Sequence, residues 1–117
     1  LYNIPTVVTP NTLTGDTNNW NPGLSQKYIK VSATSTYTIT GLVAPTGVGD
    51  AYERVIINTG VNTIILAHEN TNSTASNRFL ISGGDFLDIL EEQAVCLLYD
   101  TDVSRWRTLY FSNSPYV

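Results

Sequence analysis

The chain has 117 residues, 42% of them hydrophobic and only 14% charged, with 6 basic against 10 acidic side chains and a formal net charge of −4. That length fits one domain around one core, and the basic residues, Lys27, Lys30, Arg54, Arg78, Arg105 and Arg107, form no run, which argues against nucleic acid as a partner. A single cysteine, Cys96, cannot close an intrachain disulfide and reads as a small buried filler, and no window approaches the ~18 consecutive apolar residues of a membrane helix. No basic-then-apolar leader opens the chain and it contains no methionine, so it is expected to be a piece of a longer product.

Residues 1–24 carry Pro5, Pro10 and Pro22 among Thr and Asn with no sustained period. They read as an extended arm or linker ahead of a single β domain over 25–117. Within the arm, Asn18-Asn19-Trp20-Asn21-Pro22 brackets one large aromatic with turn-forming amides. Trp20 is expected either to anchor the arm onto the domain or to stack on a ligand. Two short strand-like segments follow at 28–33 and 37–40, with Ile29 and Val31 on one face and Tyr28 and Lys30 on the other, the pattern of a half-exposed hairpin. A loop over 41–50 carries Pro45, Gly47 and Gly49.

The centre of the chain is 54–68. Two β-branched and leucine runs, 55–57 and 64–66, flank a polar bend with Asn58, Gly60 and Asn62, which predicts an antiparallel hairpin. Neither run alternates, so both faces of this hairpin are expected to be covered, by a second layer or by another subunit. A polar loop over 67–77 comes next, followed by a strand restarting at 78–81, a turn at 82–85 and a strand at 86–90. The only helix candidate is 86–93, with Asp85 as a cap but Glu91 and Glu92 opposing the dipole at its far end. The most apolar run, 94–99, leads through a turn at 100–104 into a last strand at 105–111. About eight short strands predict an all-β domain, an antiparallel β-sandwich or jelly roll with an extended N-terminal arm.

Chemistry is sparse. His68 and Cys96 are alone of their kinds, which excludes a Cys/His zinc cluster within one chain, and no phosphate loop, nucleophile elbow or zinc-protease helix is present. Neighbouring strand residues point to opposite faces, so His68 and Glu69 are badly placed as a base and its orienter and read instead as a loop or subunit contact. Asp100-Thr101-Asp102 reads as a turn, not a calcium loop. Arg105 and Arg107 share a face opposite Trp106 and need acceptors: they read as salt-bridge partners of Asp100, Asp102, Glu91 and Glu92, the nearest in sequence, ahead of a phosphate or sulfate site. No catalytic residue, metal or cofactor is expected. The residues set apart as subunit or ligand contacts are Trp20, His68, Glu69, Asn77, Arg78, Arg105, Trp106 and Arg107.

Several motifs stand together in order: Thr17-Asn18-Asn19-Trp20-Asn21-Pro22, Thr40-Gly41-Leu42-Val43-Ala44-Pro45, Ile57-Asn58-Thr59-Gly60 with Ala67-His68-Glu69-Asn70, Asn77-Arg78-Phe79-Leu80 with Gly83-Gly84, and Leu98-Tyr99-Asp100 with Ser104-Arg105-Trp106-Arg107. As a set, spanning residues 17–109, they resemble a β-rich module of structural proteins of tailed bacteriophages, found on fibres, tail components and capsid-surface proteins. The resemblance implies a non-enzymatic virion-surface component, a capsid decoration, head-fibre or tail-fibre module, commonly a homotrimer. It would be assembled in the host cytoplasm against major capsid or tail proteins, with no membrane or nucleic-acid contact. The alternative is a carbohydrate-binding module for host attachment, in which Trp20, Trp106 and Tyr28 stack on host surface glycans and the loop over 68–77 supplies polar contacts.

Overall fold

The computed structural model describes residues 7–111, with side chains over 11–109. The outer ends of the expected arm and domain, 1–6 and 112–117, lie outside the described residues. Nine strands are present among the described residues: β1 Val7–Leu13, β2 Tyr28–Ala33, β3 Tyr37–Ile39, β4 Glu53–Asn58, β5 Ile64–Leu66, β6 Phe79–Leu80, β7 Leu87–Ile89, β8 Ala94–Asp100 and β9 Arg105–Phe111, with one 3-10 turn at Ala75–Asn77. They form a six-stranded sheet in the order β1-β2-β4-β8-β9-β6 and a three-stranded sheet in the order β3-β5-β7. The fold is all-β with two sheets, compatible with a sandwich-like class.

The chain reaches this arrangement by coiling. It runs along the first sheet, turns a corner, runs along the second, and repeats. β1, β2 and β4 lie side by side in parallel, and their continuations do the same: Thr17 bridges Ile39, Trp20 bridges Leu42, and β3 pairs in parallel with β5. β7 and β8 then return in the opposite sense, antiparallel to β5 and β4 respectively. β9 lies antiparallel to β8, and β6 runs parallel to β9. A bridge from His68 to Phe79 joins the end of the second sheet to β6.

Three expectations are corrected by this topology. The runs at 55–57 and 64–66 are not the two arms of a hairpin, because β4 and β5 belong to different sheets, and the same holds for the segments at 28–33 and 37–40. The sheets are not purely antiparallel, since four of the strand pairs are parallel. The helix candidate at 86–93 is strand β7 followed by a turn. The segment read as an arm joins the body from residue 7, where β1 forms an edge strand.

The corners explain why the chain changes sheet where it does. Asn58 is fully buried and acts as a bracket: its Oδ1 accepts the Gly60 N–H at 3.0 Å, while its Nδ2 donates to the Asn62 carbonyl at 2.8 Å and the Ile89 carbonyl at 2.9 Å. Asn62 in turn donates to the Ala33 carbonyl of the coil beneath, at 2.8 Å. Gly60 sits so close to that coil that a Cβ there would lie 2.8 Å from the Ser32 Cβ, so only glycine lets the two corners stack.

Burial alternates along the strands. In β2, Ile29, Val31 and Ala33 face inward; in β4, Arg54, Ile56 and Asn58 do so, leaving Glu53, Val55 and Ile57 half-buried on the outer face. Ile39, Ile64, Leu66, Phe79, Ile89, Val95, Leu97 and Trp106 fill the space between the sheets, each large side chain contributing roughly 1.5–3 kcal/mol of burial. The runs that do not alternate in apolarity therefore still alternate in burial. Arg54 is a charged residue in this interior: it is 1% exposed, donates from Nη2 to the Gly23 carbonyl at 2.8 Å, and burial lowers its pKa.

Candidate functional site

Four of the residues singled out in the sequence fall into two clusters, Asn77 and Arg78 in one and His68 and Arg107 in the other. The first is a polar seam where the turn at 18–20, the start of the loop after β3 and the loop at 70–78 meet. Asn19 has a positive φ of 48°, a conformation asparagine tolerates better than most residues. Its Oδ1 accepts from the Thr74 N–H at 2.8 Å and from Asn77 Nδ2 at 2.9 Å. The Ser73 hydroxyl accepts the Asn19 N–H at 2.9 Å and lies 2.6 Å from Thr40 Oγ1, which also donates to Asn18 Oδ1 at 2.7 Å. Asn77 completes the seam by accepting the Ala44 N–H on its side chain and the Leu42 N–H on its carbonyl, and Arg78 Nε donates to the Ser73 carbonyl at 3.0 Å. Asn77 and Arg78, read as contact residues, are committed here to holding the polar loop against the body.

Both tryptophans are interior. Trp20 is 7% exposed and Trp106 is fully buried, with its indole N–H donating to the Leu42 carbonyl at 2.8 Å and its ring set edge-on to Tyr99 at 5.0 Å between centroids. Neither can serve as an external stacking platform for a sugar, which removes the main support for the carbohydrate module as the sequence framed it. Tyr28 is half-buried, and the Lys27 ammonium sits 5.5 Å from its ring centroid. Trp20 does what an anchor does, pinning the first coil to the core.

The second cluster is an open groove of about 320 Å³ beside β6, lined by His68, Leu80, Ile81, Ser82, Arg107 and Thr108. His68 Nδ1 accepts the Ile81 N–H at 3.0 Å, so the neutral ring carries its proton on Nε2, the atom left free to donate. Arg107 Nε is paired with Asp100 Oδ2 at 2.7 Å, one of the acceptors expected from sequence. The Arg107 guanidinium holds the Asp100 carboxyl below the ordinary carboxylate range. Arg105 found a different acceptor: its Nε donates to Glu69 Oε1 at 2.6 Å, and this hydrogen bond lowers the Glu69 pKa. Glu69 is held there by a left-handed backbone, φ 44°, while its own N–H donates to the Phe79 carbonyl at 2.9 Å.

His68 and Glu69 thus have separate hydrogen-bond partners: one faces the groove, the other is tied to β9. Among the described residues no group of three or more His, Cys, Asp or Glu is placed to hold a metal ion. The groove residues Leu80, Ile81, Ser82 and Thr108, and the seam residues Thr40 and Ser73, were not visible as a set. Their only sequence signal is proximity to Gly41 and to the Gly83-Gly84 turn, where chain segments approach closely. A Cβ on Gly41 would lie 2.5 Å from Ser73 Oγ. No family model matches the chain, and neither a curated protein nor a solved structure matches it.

Proposed function

We propose that the chain is a non-enzymatic structural module of a tailed-bacteriophage virion, exposed at the particle surface as a capsid decoration, head-fibre or fibre module, and working as a homotrimer seated on other virion proteins. The observation that carries the reading is the outer face of the larger sheet. There Val55 and Ile57 of β4 lie beside Cys96 and Ala94 of β8, with Tyr28 and Lys30 of β2 on their other side. The four central side chains are only half-buried, and Leu98 next to them is 37% exposed. Ion pairs mark the margin, Lys27 with Glu53 and Arg107 with Asp100.

An apolar centre with a charged margin is the layout of a face that packs against another copy. The motif set supports the same reading in another way: Asn18, Asn19, Thr40, Gly41, Asn77 and Arg78 converge on the polar seam, so the spacing that carries the resemblance also holds this fold together. Sedimentation velocity on the full chain at micromolar concentration tests the proposal. A threefold mass supports it, and a well-folded monomer under those conditions overturns it.

A further inference from the structure

The groove beside β6 has a lining whose chemistry is one-sided. His68 Nε2 and the two terminal nitrogens of Arg107 are donors; Ser82 and Thr108 bring hydroxyls; Leu80 and Ile81 bring apolar surface; no carboxylate lines it. Each donor is also held. The His68 ring is fixed by the Ile81 N–H on Nδ1, and the Arg107 fork is fixed by Asp100 on Nε. Gly84, in a left-handed turn with φ 73°, borders the ring, a Cβ there coming to 3.9 Å from His68 Nε2. The groove forms because β6 is two residues long and β9 is seven, so the sheet edge opens past Leu80.

We propose that this groove binds a carboxylate-bearing sugar unit, a uronic acid residue of a surface polysaccharide. Preorganised donors without an acid recognise an anion. The Arg107 charge is already partly answered by Asp100, which suits a singly charged carboxylate and disfavours a phosphate dianion. The two hydroxyls match ring hydroxyls of a sugar, the apolar floor matches the C–H face of a pyranose, and the volume suits a single ring. The site lies between β6 and β9, with β8 between it and Val55 and Ile57, so its lining is distinct from the apolar centre on β4 although Arg107 also stands at the margin of that face.

The test is an NMR titration of the isotope-labelled full chain with sodium D-glucuronate, with D-glucose, sodium acetate and inorganic phosphate as parallel probes. Glucuronate is expected to move the backbone amide signals of Ile81, Ser82 and Thr108 saturably, and each other probe to bind roughly tenfold more weakly or less. Arg107→Gln, on an exposed side chain, weakens glucuronate by about tenfold while the thermal midpoint stays within a few degrees. Shifts that never saturate, or that map away from the groove, overturn the proposal. Glucose or phosphate binding as tightly as glucuronate also overturns it, as does an unaltered affinity in a folded Arg107→Gln chain.

Discussion

Val55→Asp and Leu97→Asp place the same carboxylate on neighbouring strands but on opposite faces of one sheet, and they should fail in different ways. From the apolar runs alone both substitutions would be expected to abolish folding; the structure separates them. Leu97 is fully buried among the core residues, where an unpaired carboxylate costs several kcal/mol or more, a large share of a typical 5–15 kcal/mol domain stability. Val55 is half-buried on the outer face, opposite Tyr28 on β2 and Cys96 on β8. In an isolated chain Val55→Asp loses β-propensity and side-chain packing of about 1 kcal/mol, and the domain still folds. In an associated trimer each copy would bring a carboxylate into the covered interface, at several kcal/mol per ion. Three such penalties fall on the two association steps of a trimer, each worth ~8 kcal/mol at micromolar strength, and a loss of several kcal/mol per step takes assembly out of the micromolar range. Val55→Asp is therefore expected to melt cooperatively within several degrees of the parent and to sediment as a monomer, while Leu97→Asp yields no folded protein. Sedimentation velocity paired with a circular-dichroism melt reads both. An associated Val55→Asp chain would show that the β4 face is not the contact, and a soluble, cooperatively melting Leu97→Asp chain would show that β8 is misassigned.

Gly41→Ala brings a methyl to 2.5 Å from Ser73 Oγ and 2.8 Å from the Asn77 carbonyl; overpacking of this kind costs about 1–3 kcal/mol, read as a lowered thermal midpoint, and an unchanged midpoint would mean the seam is not tightly packed. Trp106→Phe leaves the buried Leu42 carbonyl without its 2.8 Å donor, a loss of about 1–3 kcal/mol before any cavity is counted, measurable by denaturant unfolding. Glu69 has its pKa lowered in the folded chain by the Arg105 hydrogen bond, so its contribution to stability is complete above the ordinary glutamate pKa and is lost as pH falls through the depressed folded value. Midpoints followed from neutral pH into the acidic range should fall below about pH 4, and Arg105→Gln should flatten that decline; an equally steep decline in the variant would assign the effect to other carboxylates.

Strand positions were largely legible because side-chain alternation is a local property. Ile29 and Val31 announce the inner face of β2, and the run at 94–99 announces β8. Strand pairing was not legible at the corners. Asn58, Gly60 and Asn62 are the residues a two-strand reversal uses, yet the same turn chemistry serves a corner that throws the chain onto another sheet. What decides between the two is distant: Asn58 reaches Ile89 and Asn62 reaches Ala33, contacts that no window around residue 60 contains. The seam was half legible. Its amides and hydroxyls were conspicuous, but they read as loop polarity because nothing local shows that Asn19 and Ser73, 54 residues apart, share a hydrogen bond. The fate of the tryptophans was decided by the same long-range geometry, since Trp106 Nε1 finds its acceptor 64 residues upstream.

The parallel coils give the molecule a polarity that an ordinary two-sheet protein lacks. One terminus of the larger sheet is the short strand β6, reached after β8 runs backwards against β4 and β9 backwards against β8. The other terminus is β1, whose register against β2 slips between Val8 and Asn11, around Pro10. A slipped, proline-bearing border is a poor landing site for a foreign strand. The architecture can lengthen by grafting extra turns ahead of β1, yet in its present form that border resists pairing with a strand of another chain.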